Sequence, residues 1–300
     1  MKTKKYKFLN KNRTIKGFKP LQCAPNQSDK VNKKLRLSSC YDDKILFQMK
    51  NIWNRYNKDK IRTNKPYNIW LFFKNRFGST CNNELCWLKY KKFNAYLDIQ
   101  DLKNNFRPKA PEKWKNNFYE WLSSLDIVAV MKQYEKEFKN FVFIGPSAID
   151  FDDKKKFGLC VWEQLCKFNL KNYYTKNKKK IGIILNLDFH YNSGTHWVAL
   201  FIDLDKDFIF YFDSNGDKIS KRVQILIDRI VEQGHNIHKN LRVISNTGVV
   251  HQQKDGSCGM YTLVFIVNLL RELKEPEFFI KNKVTDEEVQ KCRKLYYNFD

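Results

Sequence analysis

The stretch QQKDGSCGMYTLVFIVNLLREL, residues 252–273, decides the fold. It opens as a polar loop, Gln252 to Ser257, and from Cys258 becomes a run that is apolar almost all round. A helix with one wet side shows a single apolar stripe, whereas a helix apolar on every side is buried on every side. Cys258 to Leu273 is therefore predicted to be the central helix of a domain. Short β-branched segments before it predict strands over Ile181–Leu187, Trp197–Asp203, Phe208–Phe212 and Leu241–Ser245. Between the last two, Val223, Leu226, Ile227 and Ile230 line one face of an amphipathic helix near Ile219–Val231. Thr285-Asp286-Glu287-Glu288 is a capping box, opening a last helix towards Tyr297. The fold class is α+β.

Working outward, the front half reads as mostly helical. Ile45, Leu46, Met49, Ile52, Trp53 and Tyr56 fall at spacings of three and four, and further helical stretches run over Tyr67–Phe77, Asn83–Tyr90, Pro111–Ser123 and Leu125–Phe141. A short strand over Phe141–Ile144 is closed by Gly145 and Pro146. The expected organisation is a basic arm over 1–36, a helical accessory domain over 37–140 and a catalytic domain over 141–300, with no internal repeat.

Composition narrows the function classes. Three hundred residues with 42% hydrophobic and 15% aromatic side chains make a folded globular chain. No apolar run approaches the roughly 18 residues of a membrane helix, so no membrane span is expected. The first twenty residues are basic and polar, without a secretory signal, which places the protein inside a cell. In that setting the eight scattered cysteines are expected to be free packing residues rather than disulfides. The nearest pairs, Cys81 with Cys86 and Cys160 with Cys166, are spaced too widely for an ordinary zinc site, so no metal is expected. Residues 1–180 hold 41 Lys and Arg against 16 Asp and Glu, an excess of +25, while residues 181–300 hold 15 against 16. Such a basic surface fits a polyanion such as nucleic acid, or serves only solubility.

The candidate chemistry lies in the neutral part. Cys258 stands at a helix start, where backbone N–H groups and the helix dipole favour a thiolate, and Gly259 lets a substrate carbonyl approach. His196 opens a strand after the turn Asn192-Ser193-Gly194-Thr195 and can take the thiol proton, although His190, His235, His238 and His251 compete with it. If Trp197–Asp203 and Phe208–Phe212 pair as a hairpin, Asp213 arrives beside His196 and can hold the imidazole in the right tautomer; alone it is an ordinary turn aspartate. Gln252 can donate to an oxyanion together with the Cys258 backbone N–H. Trp197 is a shield for the ion pair, a wall of the substrate channel, or simply a strand core residue.

The order His196-Trp197, Asp213, Gln252, Cys258-Gly259 resembles the adenovirus protease and SUMO-specific protease superfamily of cysteine peptidases. Leu185 to Phe189, His196 to Asp203 and Val284 to Glu288 are similar to the polyprotein-processing proteases of large cytoplasmic DNA viruses, as is Phe143 to Phe151 in the front part. Some of those relatives carry Asn where this chain has Asp213. The resemblance implies a papain-like, adenain-like core over 181–300. It also implies an endopeptidase cutting viral core or capsid precursors after glycine, in Gly-Gly-X or Ala-Gly-X sites, during virion maturation. Its expected setting is the host cytoplasm and the virion. No metal or organic cofactor is required, and DNA is the candidate non-covalent activator through residues 1–180. The alternatives are deconjugation of SUMO or another ubiquitin-like modifier and, from a different class, a basic nucleic-acid-binding virion protein.

Overall fold

The computed structural model describes residues 23–25 and 39–299, so the expected arm over 1–36 lies almost wholly outside the described residues. The chain divides into two compact units between Arg107 and Pro108. This corrects the expected boundary at 140. Charge and texture change near 140, but they are surface properties, whereas packing assigns 108–140 to the second unit.

The first unit is helical. It comprises α1 (Asp43–Tyr56), α2 (Pro66–Phe77), a 3-10 turn (Leu85–Lys89), α3 (Lys91–Tyr96) and α4 (Ile99–Lys103). Asp42 caps α1 by accepting from the Ile45 N–H, and the spaced apolar residues Leu46, Met49 and Trp53 are its buried face. They meet Ile69, Trp70 and Phe73 of α2 with Trp87 and Phe93 in one core. Asn83–Tyr90 is thus a 3-10 turn rather than the α-helix its spacing suggested. Glu84 is buried here, accepting from the Cys40 N–H at 2.6 Å and from the Trp70 indole.

The second unit is a five-stranded sheet with helices on both faces. Its elements are α5 (Ser124–Glu137), β1 (Phe141–Ala148), α6 (Glu163–Cys166), α7 (Leu170–Thr175), β2 (Lys180–Asn186), β3 (Trp197–Asp203), β4 (Phe208–Phe212), α8 (Lys221–His235), β5 (Arg242–Ser245), α9 (Cys258–Leu270), α10 (Phe278–Lys281), α11 (Asp286–Lys291) and α12 (Arg293–Tyr296). The strands lie in sequence order, with β1 and β5 parallel to their neighbours and β2, β3 and β4 antiparallel. Side chains alternate across a strand. Trp197, Ala199 and Phe201 of β3 with Phe208, Phe210 and Phe212 of β4 therefore face α9, while Val198, Leu200, Ile202 and Ile209 face Val223, Leu226 and Ile230 of α8. All thirteen residues of α9 are buried, as its uniform hydrophobicity requires, and Phe265 stacks on Phe212 at 4.6 Å.

Three sequence expectations are corrected here. β1 runs on through Gly145 and Pro146 to Ala148, with a register shift between Ile144 and Ser147. Pro111–Ser123 is helical only as a 3-10 turn over Glu112–Lys115, and the chain from 116 to 122 is irregular. Finally, Cys23–Cys40, Cys81–Cys86 and Cys160–Cys166 form disulfides, leaving Cys258 and Cys292 free. Cysteine usage speaks only of compartment, whereas folding brings the two short-range pairs to Cα separations of 5.5 and 6.2 Å, within bonding reach.

Candidate active site

The hairpin β3–β4 brings the candidate base and its partner together. Ala199 pairs with Phe212 in the antiparallel register, so His196, just before β3, and Asp213, just after β4, emerge at the same end. The His196 Nε2 lies 2.6 Å from the Asp213 Oδ1. Asp213 is fully buried, and its backbone is clamped by Asn246, whose amide oxygen accepts from the Asp213 N–H at 2.9 Å while its nitrogen donates to the Asp213 carbonyl. The carboxylate also accepts from the Asn215 N–H at 2.8 Å and the Tyr211 hydroxyl at 3.4 Å. The hydroxyl is held protonated by burial and by the carboxylate beside it.

Cys258 is the first residue of α9, buried, and faces His196 closely enough to raise its pKa. Burial disfavours the imidazolium of His196, but its hydrogen bond to Asp213, its interaction with Cys258 and the charges of both outweigh it, raising the pKa from 6.5 to about 10. The ring is thus held protonated beside a thiol at a helix N-terminus, an arrangement that sets a candidate nucleophile next to a proton donor. The other free thiol, Cys292, is pushed up to about 12 by burial and Glu288.

The competing histidines have other tasks. His251 is buried, donates from Nε2 to the Phe279 carbonyl at 3.0 Å and accepts at Nδ1 from the Val284 N–H, so it is neutral, and burial lowers its pKa. His190 pairs with the buried Asp150. His235 ends α8, and His238 follows it in a left-handed turn.

Gln252 sits on Ser214, the residue after Asp213. The Ser214 hydroxyl donates to the Gln252 Oε1 at 2.8 Å and the Ser214 carbonyl accepts from the Gln252 N–H, while the Gln252 amide nitrogen donates to the Lys254 carbonyl at 3.0 Å. Trp197 is buried and its indole donates to the Leu122 carbonyl at 3.1 Å. That bond ties its ring to the segment ending at Leu122. Gly259 has a reason the sequence did not reveal: a Cβ there would stand 2.9 Å from the Leu122 Cβ and 3.2 Å from the Trp197 ring. Gly256, at φ +84°, lies so close to the Tyr119 carbonyl that a Cβ would meet it at 2.1 Å. The irregular segment 119–122 therefore covers the nucleophile's loop. The helical spacing of Pro111–Ser123 gives no sign of this role. Asn246, Ser214 and Tyr211 were missed too, since a polar residue carries no sign of what it will face. Among the described residues, no group of three or more His, Cys, Asp or Glu is placed to hold a metal.

A thiol at a helix N-terminus, facing an imidazole that a buried carboxylate holds, is the constellation of a cysteine hydrolase. Residues 163–299 match the Ulp1 protease family, C-terminal catalytic domain, and the chain is a cysteine protease. Over 297 residues it is 29% identical to a protein of Acanthamoeba polyphaga mimivirus named as a thiol protease, covering 92% of each chain. It is 27% identical to the SUMO-1 cysteine protease of African swine fever virus (Kenya isolate) over 79% of this chain and 90% of the relative. The crystal structure of an African swine fever virus protease superposes with a TM-score of 0.68 at 22% identity, covering 94% of this chain and 97% of that one, so the fold is shared. No helix among the described residues is long and apolar enough to cross a membrane.

Proposed function

We propose that the protein is an endopeptidase in which Cys258 is the nucleophile, His196 the acid and base, Asp213 the residue that orients the imidazole, and the Cys258 N–H with the Gln252 amide the oxyanion donors. The observation that carries this reading is the His196 imidazole, bonded at 2.6 Å to the fully buried Asp213 and facing Cys258 at the start of α9. The thiolate sulfur bonds to the carbonyl carbon, and negative charge develops on its oxygen. The C–N bond then breaks as the His196 imidazolium gives its proton to the departing amine. Water attacks the resulting thioester, His196 takes its proton, and the acid is released with the thiol restored.

The proposed substrates are viral core or capsid precursors, cut after glycine in Gly-Gly-X or Ala-Gly-X sites. The family resemblance and the two viral relatives support this. A second reading, removal of a ubiquitin-like modifier, is favoured by the SUMO-1 protease name of one relative. A peptide with an internal Gly-Gly-X site and a ubiquitin-like protein fused to a reporter, offered in parallel, separate the two by relative kcat/KM. The core assignment is tested by a C-terminal Gly-Gly vinyl probe, expected to label Cys258 alone, and by Cys258→Ala, expected to abolish cleavage with the fold intact. Cleavage within about tenfold of wild type in that variant would sink the assignment.

A further inference from the structure

We propose that the C-terminal helices α11 and α12 act as a splint on the loop 252–257, with Gln290 and Arg293 as positioning residues for the Cys258 N–H, a role that rests on Cys258 being the nucleophile. The loop is tied to α11 at three points. The Gln253 N–H donates to the Asp286 Oδ2 at 2.9 Å, Lys254 pairs with Glu287 at 3.1 Å, and the Gln290 Nε2 donates to the Ser257 Oγ at 2.9 Å. The third tie matters most, because the Ser257–Cys258 peptide carries the N–H that must face the oxyanion. Gln290 and Ser257 are both buried, so water does not compete for their bond.

Gln290 is in turn fixed by Arg293. The Arg293 Nε donates to the Gln290 Oε1 at 2.5 Å, which settles which end of the amide faces Ser257. Arg293 is fully buried, its Nη2 donates to the Glu120 carbonyl, its guanidinium lies 4.3 Å over the Trp114 ring, and its Nη1 has no partner among the described residues. Burying a cation without a carboxylate ion pair is costly, and burial lowers its pKa to about 10. What the cation gains in return is geometry. One guanidinium fixes Gln290, and through it Ser257, and also fixes Glu120 within the segment 119–122 over Gly256 and Gly259. Both walls beside the nucleophile are thereby referenced to a single group. An oxyanion donor displaced by a fraction of an ångström loses most of its effect.

The test uses the full chain and two reactions of Cys258. Alkylation by iodoacetamide needs the thiolate but no oxyanion donor, whereas peptide cleavage needs both. Gln290→Leu and Ser257→Ala are each expected to lower kcat by about tenfold or more, with KM, the alkylation rate and its pH profile within about twofold of wild type. The double variant should be no worse than either single one. Gln290→Glu, whose carboxylate can accept from both Arg293 and the Ser257 hydroxyl, should recover most of the turnover. Unchanged kcat in both single variants overturns the proposal. So does a parallel fall of kcat, alkylation rate and Tm, which marks support of the fold only. If iodoacetamide fails to inactivate the wild type through Cys258, the catalytic reading itself fails and the splint with it.

Discussion

Replacing Asp213 by Asn removes one buried charge and almost nothing else. The backbone clamp by Asn246 does not involve the carboxylate. An amide oxygen at the Oδ1 position still accepts from His196 and the Asn215 N–H, and an amide nitrogen at Oδ2 faces the Tyr211 hydroxyl, which can accept. The perturbation is thus the exchange of a charge-assisted bond for a neutral one. A hydrogen bond to a charged group contributes about 1.5–3 kcal/mol and a neutral one about 0.5–1.5, a difference of about 1–1.5 kcal/mol. That is about one pKa unit on His196 and about tenfold in turnover. Cleavage requires the imidazolium as proton donor, so the alkaline limb of kcat/KM, expected near 10 in the wild type, should move to about one unit lower. Stability follows the same group. A raised imidazole pKa stabilises the fold fully below its ordinary 6.5, and the contribution is lost as pH rises through about 10. The variant should accordingly be less stable at pH 6 by about 1 kcal/mol and indistinguishable from wild type above pH 10. The measurements are a pH–rate profile on a peptide substrate and urea unfolding at the two pH values. An alkaline limb that stays in place, with turnover unchanged, would refute the reasoning.

Gln252→Ala removes a proposed oxyanion donor and leaves the buried Ser214 hydroxyl without its acceptor. Turnover should fall about 100-fold, and an unchanged kcat would take Gln252 out of the site. Asp203→Ala breaks the buried pair with Lys180, which keeps only Glu272 at 2.9 Å, and should destabilise the protein by about 3 kcal/mol in urea titration. Burial raises the Glu84 carboxyl to about 7, so the first unit binds a proton more tightly folded than unfolded. Its stability should fall as pH rises from about 4.5 to 7 and level off above, read as faster hydrogen exchange in residues 41–106 of the intact chain; a flat profile would contradict the burial argument. Cys292→Ser should leave cleavage intact, since that thiol is buried and resists ionisation.

How much of this was legible beforehand differs by residue. The strands over 197–203 and 208–212 were readable because a buried strand is written locally, in consecutive β-branched and aromatic residues. Their hairpin pairing needed only a short connection, so the meeting of His196 and Asp213 followed from register. Cys258 was visible because a polar glycine-containing loop met a helix with no polar face. These features depend on neighbours in the chain, and the sequence by itself determined them, together with the order of motifs that ties the chain to its protease relatives. Tertiary structure decided what depends on contacts between distant residues. It assigned 108–140 to the catalytic unit, laid 119–122 over Gly256 and Gly259, and buried Arg293 against Trp114. A glycine that excludes a Cβ, a buried arginine or an asparagine clamping a backbone looks the same in sequence as its exposed counterpart. Only the atoms that come to face it, up to 173 positions away for Arg293 and Glu120, tell them apart.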